Sequence, residues 1–424
     1  MDASCRRCGK IRQKTKECAY DEPRSSATSD GSKLMFLRRM LLMLEGGIIF
    51  RIVINAAAAI TIVIRVQLTR DKDSQERWRR MGALLSGGMT GNDVDLAGKV
   101  VLVTGSTSGL GLHAARVFHK RGATVILTCR DHIKGRQAVD EILHPGEKGP
   151  EKRSEESNED SQTSRIHLFE LDLTDYRSVL QFAAEVKQEV TSIDILVCNA
   201  GVMGGPFELS SDGIEMHLAS NHFGHFVLVN QLLPLLSAAS HSRIIVITSG
   251  LYKGASELPP IQQLMGEATW DYDSRRAYAI SKLSNCLYVK ALARRLEEQP
   301  GRVGVFAVRP GFVRGTELGR RTHWLLRRLA APVIWLFARN IDQGIKGYLH
   351  TATAPLEELH SGSLYFDNSE EPFMESVNER TSEELWQMSM RMEELVVKRR
   401  NALTDLERKL SEEGRSRVNL SLSA

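Results

Sequence analysis

Between residues 96 and 368, short apolar runs rich in Val and Ile alternate with longer stretches that have the composition of helices. Strands that are apolar on both faces and separated by helices are typical of a parallel sheet covered on both sides. The pattern therefore predicts an α/β fold, a doubly wound parallel sheet of the Rossmann type, in a single catalytic domain. We predict strands over residues 100–103, 124–128, 166–171, 193–197, 243–247 and 303–308, with the last strand at Phe366.

The composition changes sharply outside the predicted strands. The first part of the chain is polar without an apolar period, so it cannot bury enough surface to offset the entropy of ordering. An apolar segment and a glycine-dotted polar segment follow, and a polar stretch with no apolar residue other than Pro150 interrupts the sheet pattern. We predict a disordered tail at 1–33, a membrane-associated or transmembrane segment at 34–68, a linker at 69–94, the catalytic domain at 95–368 with a solvated insert at 146–165, and a C-terminal helix and tail at 369–424.

The apolar segment at 34–68 is the candidate membrane anchor. Its uncharged run, Ile52 to Ile64, has thirteen residues, fewer than the ~20 that a spanning helix needs. Arg51 and Arg65 flank the run and can reach the headgroups, so a span over 46–68 fits, and two short interfacial helices fit as well. A secretory signal peptide fits less well, because the run begins far from the N-terminus.

The region after the last predicted strand has the pattern of one helix. Thr381 and Glu384 have the spacing of a capping box, and apolar residues follow at helical spacing. We therefore predict a helix that packs through one stripe, formed by Leu385, Met388, Met392 and Leu395.

Charge and cysteine usage exclude two classes of protein. The 56 basic and 52 acidic residues give a net charge of +4, which is too balanced for a nucleic-acid binder that concentrates Lys and Arg on one face. The six cysteines form no disulfide framework. Cys5 and Cys8 have the spacing of half a zinc site, but Cys18 is only a third thiolate and the first hundred residues contain no histidine, so we predict no metal site.

A glycine-rich segment follows the first predicted strand and opens a helix. Glycines let the backbone approach a pyrophosphate, and the free N–H groups and dipole of a helix start favour its negative charge. We predict that this segment binds a dinucleotide through Gly105, Ser106, Ser108, Gly109, Leu110 and Gly111.

Tyr278 and Lys282 are four residues apart on a predicted helix, so both project from one face. A phenol with a pKa near ~10 is a poor base at neutral pH. An ammonium ~5 Å away, at an effective dielectric of ~20, favours the phenolate by about 3 kcal/mol, or roughly two pKa units. The pair is therefore a candidate for proton transfer. The alternative is a tyrosine whose hydroxyl lies at the surface.

These motifs follow successive predicted strands, at the edge of the sheet where ligands bind in open α/β folds. The glycine segment comes first, and Asn199-Ala200-Gly201, Ser249 and the Tyr278/Lys282 pair follow in order. The series resembles the short-chain dehydrogenase/reductase family over residues 95–368. Cys198 and Thr248 stand where the family often has Asn and Ser, which leaves the catalytic positions unchanged.

The resemblance implies a role for each matching residue. Ser249 would hold and polarise the substrate oxygen, and Tyr278 would exchange the proton. Lys282 would bind the nicotinamide ribose and lower the pKa of the tyrosine, and Asn221 would keep a proton-relay water. Further cofactor contacts are implied for Asp172, Leu173, Asn199, Ala200, Gly201, Pro310, Gly311, Val313 and Thr316.

Arg130 follows the second predicted strand, where an acidic residue would bind the adenosine ribose hydroxyls. An arginine there suits a 2′-phosphate, so we predict NADP as the cofactor, with NAD less favoured. Asp131, the next residue, could turn inward instead.

Two short segments, 129–131 and 223–226, most resemble the branch of retinol dehydrogenases, WW-domain oxidoreductases and the X-linked dehydrogenase/reductase. This implies a lipophilic alcohol, aldehyde or ketone substrate of the retinoid, steroid or polyisoprenoid class. It also implies a location on the endoplasmic reticulum membrane with the catalytic domain facing the cytosol, and it is compatible with a homo-oligomer.

Residues 318–340 combine aromatic and aliphatic residues with five arginines. This composition is typical of an interfacial element, and equally of an apolar wall of the substrate pocket. Either interpretation favours a long apolar substrate, by ~0.8 kcal/mol for each buried CH₂.

Two other functions compete with the oxidoreductase. A catalytically silent, cofactor-binding regulatory or scaffold protein tethered to a membrane would not need the complete Ser/Tyr/Lys set. A sugar-nucleotide epimerase would have a different spacing in the glycine segment.

Overall fold

A computed structural model describes residues 94–145, 165–268, 271–297, 302–313 and 339–422, with side chains described up to residue 408. A sheet with the order β3-β2-β1-β4-β5-β6-β7-β8 lies at its centre. All neighbouring strands are parallel except β7 and β8. The strands are β1 (Val100–Val103), β2 (Thr124–Cys129), β3 (Ile166–Glu170), β4 (Ile195–Cys198), β5 (His241–Ile247), β6 (Arg302–Val308), β7 (Leu364–Phe366) and β8 (Ser369–Glu371).

Helices connect the strands and cover both faces of the sheet. They are α1 (Gly109–Lys120), α2 (His132–Leu143), α3 (Tyr176–Glu189), α4 (Met216–Leu218), α5 (Gly224–Ala238), α6 (Ile261–Leu264), α7 (Ser274–Glu297), α8 (Ile341–Gly344), α9 (Lys346–Thr353) and α10 (Glu379–Leu422). A π-helical turn, Ala219–Phe223, joins α4 to α5, and 3₁₀ turns occur at Gly250–Gly254 and Leu356–Glu358.

Alternate residues of the strands pack into two hydrophobic clusters, one on each face of the sheet. Leu102 of β1 and Leu196 of β4 belong to one cluster, which includes residues of α3, α5, α7 and α10. Val101 and Val103 belong to the other, which includes residues of α1, α2 and α9. Burial on both faces explains why the strands are continuously apolar, and the predicted doubly wound parallel sheet is confirmed.

Strands β2 and β3 lie on one side of β1 in the sheet, and the later strands, beginning with β4, lie on its other side. Connections from β1 and β4 therefore leave on opposite faces and open a crevice at the carboxyl ends of these strands, where ligands bind in such sheets. β8 was not predicted, because its sequence, Ser-Glu-Glu, has no apolar residue.

The predicted capping box at Thr381 and Glu384 is wrong. Helix α10 begins at Glu379, and the Asn378 side chain accepts a hydrogen bond from the Thr381 N–H at 3.1 Å. The Thr381 hydroxyl accepts one in return from the Asn378 N–H at 3.2 Å. Asparagine caps helices as well as threonine does, so the cap lies one turn earlier than the pattern suggested.

Several predictions concern residues outside the described part of the chain: the tail at 1–33, the segment at 34–68, the linker up to residue 93, the insert from 146 to 164, and the apolar segment from 318 to 338. Within the described residues, none of the helices is both long enough and apolar enough to cross a bilayer.

Candidate active site

The loop between β1 and α1 requires glycine at two positions. Gly105 has φ +63°, and a Cβ atom there would lie 2.8 Å from the Cα of Ala200. A Cβ at Gly111 would overlap both the Gly105 carbonyl oxygen and the Asn199 side chain. The glycines therefore bring the loop after β1 against the loop after β4.

The start of α1 is open to an anion. Ser108 is the N-cap residue, and its side chain makes no capping hydrogen bond to the helix. The first turn of α1 contains no acidic residue. Its N–H groups and the positive end of its dipole are thus free to bind a phosphate.

The side chain of Ser106, a predicted cofactor contact, is bound within the protein. It is fully buried, and its hydroxyl accepts a hydrogen bond from the Thr128 N–H of β2 at 2.9 Å. The Thr128 hydroxyl accepts one from the Gly105 N–H at 3.1 Å. The two hydroxyls hold the glycine loop against the end of β2.

Thr104 joins the glycine loop to the loop after β4. Its hydroxyl oxygen accepts hydrogen bonds from the N–H groups of Asn199 and Ala200, at 2.9 and 3.0 Å. It also lies 2.8 Å from Nε2 of His225. Burial lowers the pKa of His225 to about 3, so the imidazole is neutral and Nε2 can accept the threonine proton.

The side chain of Asn199 holds the glycine loop through hydrogen bonds. Its side-chain amide donates to the Thr104 carbonyl at 2.8 Å, and the hydroxyl of Tyr348 donates to its Oδ1 at 3.0 Å. Tyr348 lies on α9 and is fully buried. A residue 149 positions away thus helps to fix the loop.

Ser249, Tyr278 and Lys282 lie together at the carboxyl end of β5. Ser249 follows β5 and caps the 3₁₀ turn, while Tyr278 and Lys282 are on α7. The Ser249 hydroxyl lies close enough to Tyr278, which is only 3% exposed, to lower the pKa of its phenol. Nζ of Lys282 lies 5.9 Å from the centre of the tyrosine ring and donates to the Ile247 carbonyl at 2.9 Å.

In this arrangement the pKa of Tyr278 shifts in the direction opposite to the one expected from its spacing to Lys282. Burial raises the pKa of Tyr278 to about 12, and the nearby Ser249 hydroxyl opposes this shift. Burial also lowers the pKa of Lys282 to about 8. The lowering of the pKa expected from the sequence includes only the charge of the Lys282 ammonium. Desolvation also penalises the charged forms of both Tyr278 and Lys282.

The side chain of Asn221, in the π-helical turn, braces the loop after β4. Its Oδ1 accepts from the Val202 N–H at 2.7 Å, and its amide donates to the Val202 carbonyl at 3.0 Å and to the Ser281 hydroxyl at 2.9 Å. Gly201 lies against this amide. Asn221 therefore connects the loop after β4 with α7, next to Lys282.

Arg130 and Asp131 follow β2. Arg130 is exposed. Asp131 is the N-cap of α2, where its carboxylate accepts from the N–H groups of Ile133 and Lys134 at 2.8 and 3.3 Å. Oδ1 of the carboxylate is therefore bound by the helix start, and the exposed Arg130 can meet a ligand at this edge.

Two other predicted cofactor segments follow β3 and β6. After β3, the Asp172 carboxylate accepts from the backbone N–H and the hydroxyl of Thr174, at 2.9 and 2.7 Å, and the next residue, Leu173, is buried. After β6, Gly311 has φ +76° and Arg339 donates to the Pro310 carbonyl at 3.3 Å. Val313 forms a bridge with Arg339. Thr316 lies outside the described residues.

Comparison with known proteins agrees with this geometry. The family model for short chain dehydrogenase matches residues 99–258. Mouse retinol dehydrogenase 14 is 37% identical over 299 residues, which cover 69% of this chain and 85% of the relative. The chain belongs to the short-chain dehydrogenase/reductase family.

Further matches place this dehydrogenase within the family. Chicken WW domain-containing oxidoreductase is 34% identical over 308 residues, covering 70% of the chain and 69% of the relative. An uncharacterised Mycobacterium paratuberculosis protein of known crystal structure superimposes with a TM-score of 0.52 at 28% identity, covering 70% of this chain and 94% of that one. The predicted retinol dehydrogenase branch is confirmed, and the protein is an oxidoreductase that uses a nicotinamide cofactor.

Some residues around the candidate active site are not indicated by the sequence. In the sequence, His225 indicates only the branch of the family. No local pattern around Tyr348 predicts that it lies beside the loop after β4. Glu215 and His217 form a buried pair at 2.7 Å, and the ring of His217 lies 6.2 Å from that of Tyr278. A buried carboxylate beside an imidazole is recognisable only when the fold brings both beside the tyrosine.

Proposed function

We propose that this oxidoreductase transfers a hydride between NADP(H) and a lipophilic alcohol, aldehyde or ketone of the retinoid, steroid or polyisoprenoid class. The observation that carries the proposal is that Ser249, the buried Tyr278 and Lys282 lie together at the carboxyl end of β5, with Nζ of Lys282 5.9 Å from the centre of the tyrosine ring. The hydroxyls of Ser249 and Tyr278 can donate hydrogen bonds to a carbonyl oxygen, and the Lys282 ammonium lies nearby. This arrangement suits the reduction of a carbonyl. The names of the related retinol dehydrogenases support the lipophilic class.

A nicotinamide bound at this edge supplies the hydride for reduction and accepts it in oxidation. Ser249 positions the substrate oxygen and polarises its bond to carbon. Because the pKa of Tyr278 is about 12, the phenol holds its proton at neutral pH and can pass it to the oxygen as an alcohol forms. Lys282, mostly protonated at pH 7, offsets the negative charge that develops on the tyrosine oxygen.

The described residues fit a dinucleotide. The open start of α1 would hold the pyrophosphate, and Lys282 would bind the nicotinamide ribose, with Asn199, Ala200 and Gly201 alongside. The exposed Arg130 favours NADP, since a guanidinium binds a 2′-phosphate and the neighbouring carboxylate of Asp131 is engaged by α2.

The proposal includes attachment to the endoplasmic reticulum membrane through residues 34–68, with the catalytic domain in the cytosol. Its support is the apolar run between Arg51 and Arg65. Large apolar side chains beside the site also suit a lipophilic substrate: Leu251 is 53% exposed and Phe312 is 62% exposed.

Comparison of Tyr278→Phe with Tyr288→Phe tests the function. Tyr288 is on the same helix, and its buried hydroxyl has no hydrogen-bond partner within the described residues. With NADPH and a panel of lipid aldehydes, Tyr278→Phe should lower kcat at least about a hundredfold, the size of a general-acid contribution, while the cofactor Kd stays nearly unchanged. Tyr288→Phe should keep the parent rate.

Retained turnover above about a tenth of the parent rate in Tyr278→Phe would contradict the assignment. Cofactor binding without turnover of any aldehyde, ketone or alcohol in the panel would favour the silent regulatory protein instead.

A further inference from the structure

The π-helical turn that carries Asn221 needs tertiary support. It is closed by the hydrogen bond from the Gly224 N–H to the Ala219 carbonyl. Such turns are rare because they are less favourable than regular α-helix, and they persist where surrounding contacts hold them. On one side the support is the Asn221 amide, which is bonded to Val202 and Ser281.

On the other side the support comes from the C-terminal helix. His222, the next residue of the turn, is buried, and its Nε2 lies 2.9 Å from the hydroxyl of Ser389 on α10. Burial lowers the pKa of His222 to about 3, so the imidazole is neutral. Its Nδ1 has no hydrogen-bond partner within the described residues. Ser389 therefore provides the polar anchor of this imidazole.

Helix α10 is fixed against the helices on both sides of the turn. Trp386, one turn before Ser389, packs edge-on against Phe226 of α5 at 5.2 Å and stacks on Tyr288 of α7 at 6.1 Å between ring centres. The Arg295 guanidinium lies 4.0 Å from the Trp386 ring and bonds to Glu383 at 2.8 Å. These contacts fix the position from which Ser389 reaches His222.

The following turns of α10 hold the segment that leads into α4. Arg400 bonds to the carboxylates of Asp212 and Asp175, each at 2.6 Å, and Asp212 also accepts from the Tyr176 N–H at 2.8 Å. The Tyr176 hydroxyl donates to Glu393 at 3.1 Å. Helix α10 thus contacts the chain just before the π-helical turn as well as at the turn itself.

We infer that α10 is a positioning element of the active site, and that Ser389, acting through His222, holds the π-helical turn in the register that keeps Asn221 on Val202 and Ser281. Ser281 directly precedes Lys282, so a relaxed turn would misplace the lysine and the loop after β4 together. The inference rests on the proposed function for its kinetic readout.

The test compares Ser389→Ala with Ser382→Ala. Ser382 lies two turns earlier on the same helix and is equally buried, at 2% against 1% exposure, and its hydroxyl has no hydrogen-bond partner within the described residues. Both variants lose one buried hydroxyl, but only Ser389→Ala leaves His222 unpaired. We expect Ser389→Ala to lower kcat about tenfold with KM within about twofold, and Ser382→Ala to leave both unchanged.

A second readout does not depend on turnover. Backbone hydrogen exchange at residues 219–223 should be faster in Ser389→Ala than in Ser382→Ala, with β1 and β4 unchanged in both. Ser389→Thr, which keeps the hydroxyl, should restore part of the lost kcat. If Ser389→Ala does not fold, Ser389→Cys gives the same comparison, because a thiol is a much weaker hydrogen-bond partner.

Equal kcat and equal exchange at the turn in the two alanine variants would overturn the inference. So would a uniform rise in exchange across the whole domain, which would show that Ser389 only stabilises the fold. If the parent shows no turnover with any substrate, the proposed function fails, and the exchange comparison alone decides the role of α10.

Discussion

At the carboxyl end of β2 two neighbouring side chains of opposite charge have separate tasks. Asp131 caps α2 with its carboxylate, which leaves Arg130 exposed at the edge where an adenosine ribose would lie. Both capping hydrogen bonds end on Oδ1 of Asp131 and hold this side chain toward the start of α2. The proposed preference for a 2′-phosphate therefore depends on Arg130.

Arg130→Asp should reverse the preference from NADP to NAD. Loss of a charged hydrogen bond of about 1.5–3 kcal/mol corresponds to roughly a ten- to hundredfold weaker Kd for NADP. Titration of each cofactor by fluorescence would measure both constants. Arg136→Asp, an exposed arginine of α2, makes the same charge change as a control and should leave the preference intact. A parent enzyme that already binds NAD more tightly would refute this assignment.

Tyr278 shows what local reasoning omits at the level of one residue. The spacing of Tyr278 and Lys282 correctly indicated that both lie on one helix, but their net pKa shifts depend on burial by α7 and β5. Burial cannot be read from a four-residue spacing, because the groups that exclude water come from distant segments.

The glycine loop is the element on which the proposed cofactor site depends. Gly111 is in the first turn of α1 and lies directly against the Gly105 carbonyl and the Asn199 side chain. Since the Gly105 carbonyl belongs to the backbone, it cannot rotate away as a side chain would. The loop can accept a Cβ only by moving away from the loop after β4.

Gly111→Ala should weaken cofactor binding at least about tenfold and destabilise the fold by about 1–3 kcal/mol, as overpacking does. Isothermal titration and thermal unfolding would measure the two effects. Gly254→Ala is the control, because its added Cβ would make only an ordinary contact with Ala279 at 3.5 Å. Unchanged cofactor affinity in Gly111→Ala would show that the loop does not bind the cofactor where we place it.

Strands were easier to predict than caps. β1, β2 and β6 lie within one residue of the predicted bounds, because apolar runs on both faces are required wherever helices cover a sheet. The start of α10 was misplaced, since Asn378 and Thr381 can both cap a helix and only the observed hydrogen bonds distinguish them.

At the scale of the whole molecule, the short chain dehydrogenase model matches from residue 99, and the first strand of the sheet, β1, begins at Val100. A catalytic domain that folds without the N-terminal segments would separate activity from membrane attachment.

Removal of residues 1–80 should release the protein from membranes without changing its unfolding temperature or cofactor affinity. Fractionation in the absence of detergent, followed by thermal unfolding of the soluble fraction, would check both. Removal of residues 1–33 is the control, because it keeps the apolar segment and should leave the protein on the membrane. A protein that stays fully in the pellet without residues 1–80 would show a second membrane contact.

The sequence alone determined the parallel sheet, the order of the motifs and the cofactor class, because those depend on periodicity and on short segments with fixed spacing. Only the tertiary structure decided which distant groups support the motifs: Tyr348 under Asn199, His225 on Thr104, and Ser389 on His222. These partners are separated by more than a hundred residues and join different helices and loops. Their meeting depends on how the layers pack, which no local pattern encodes.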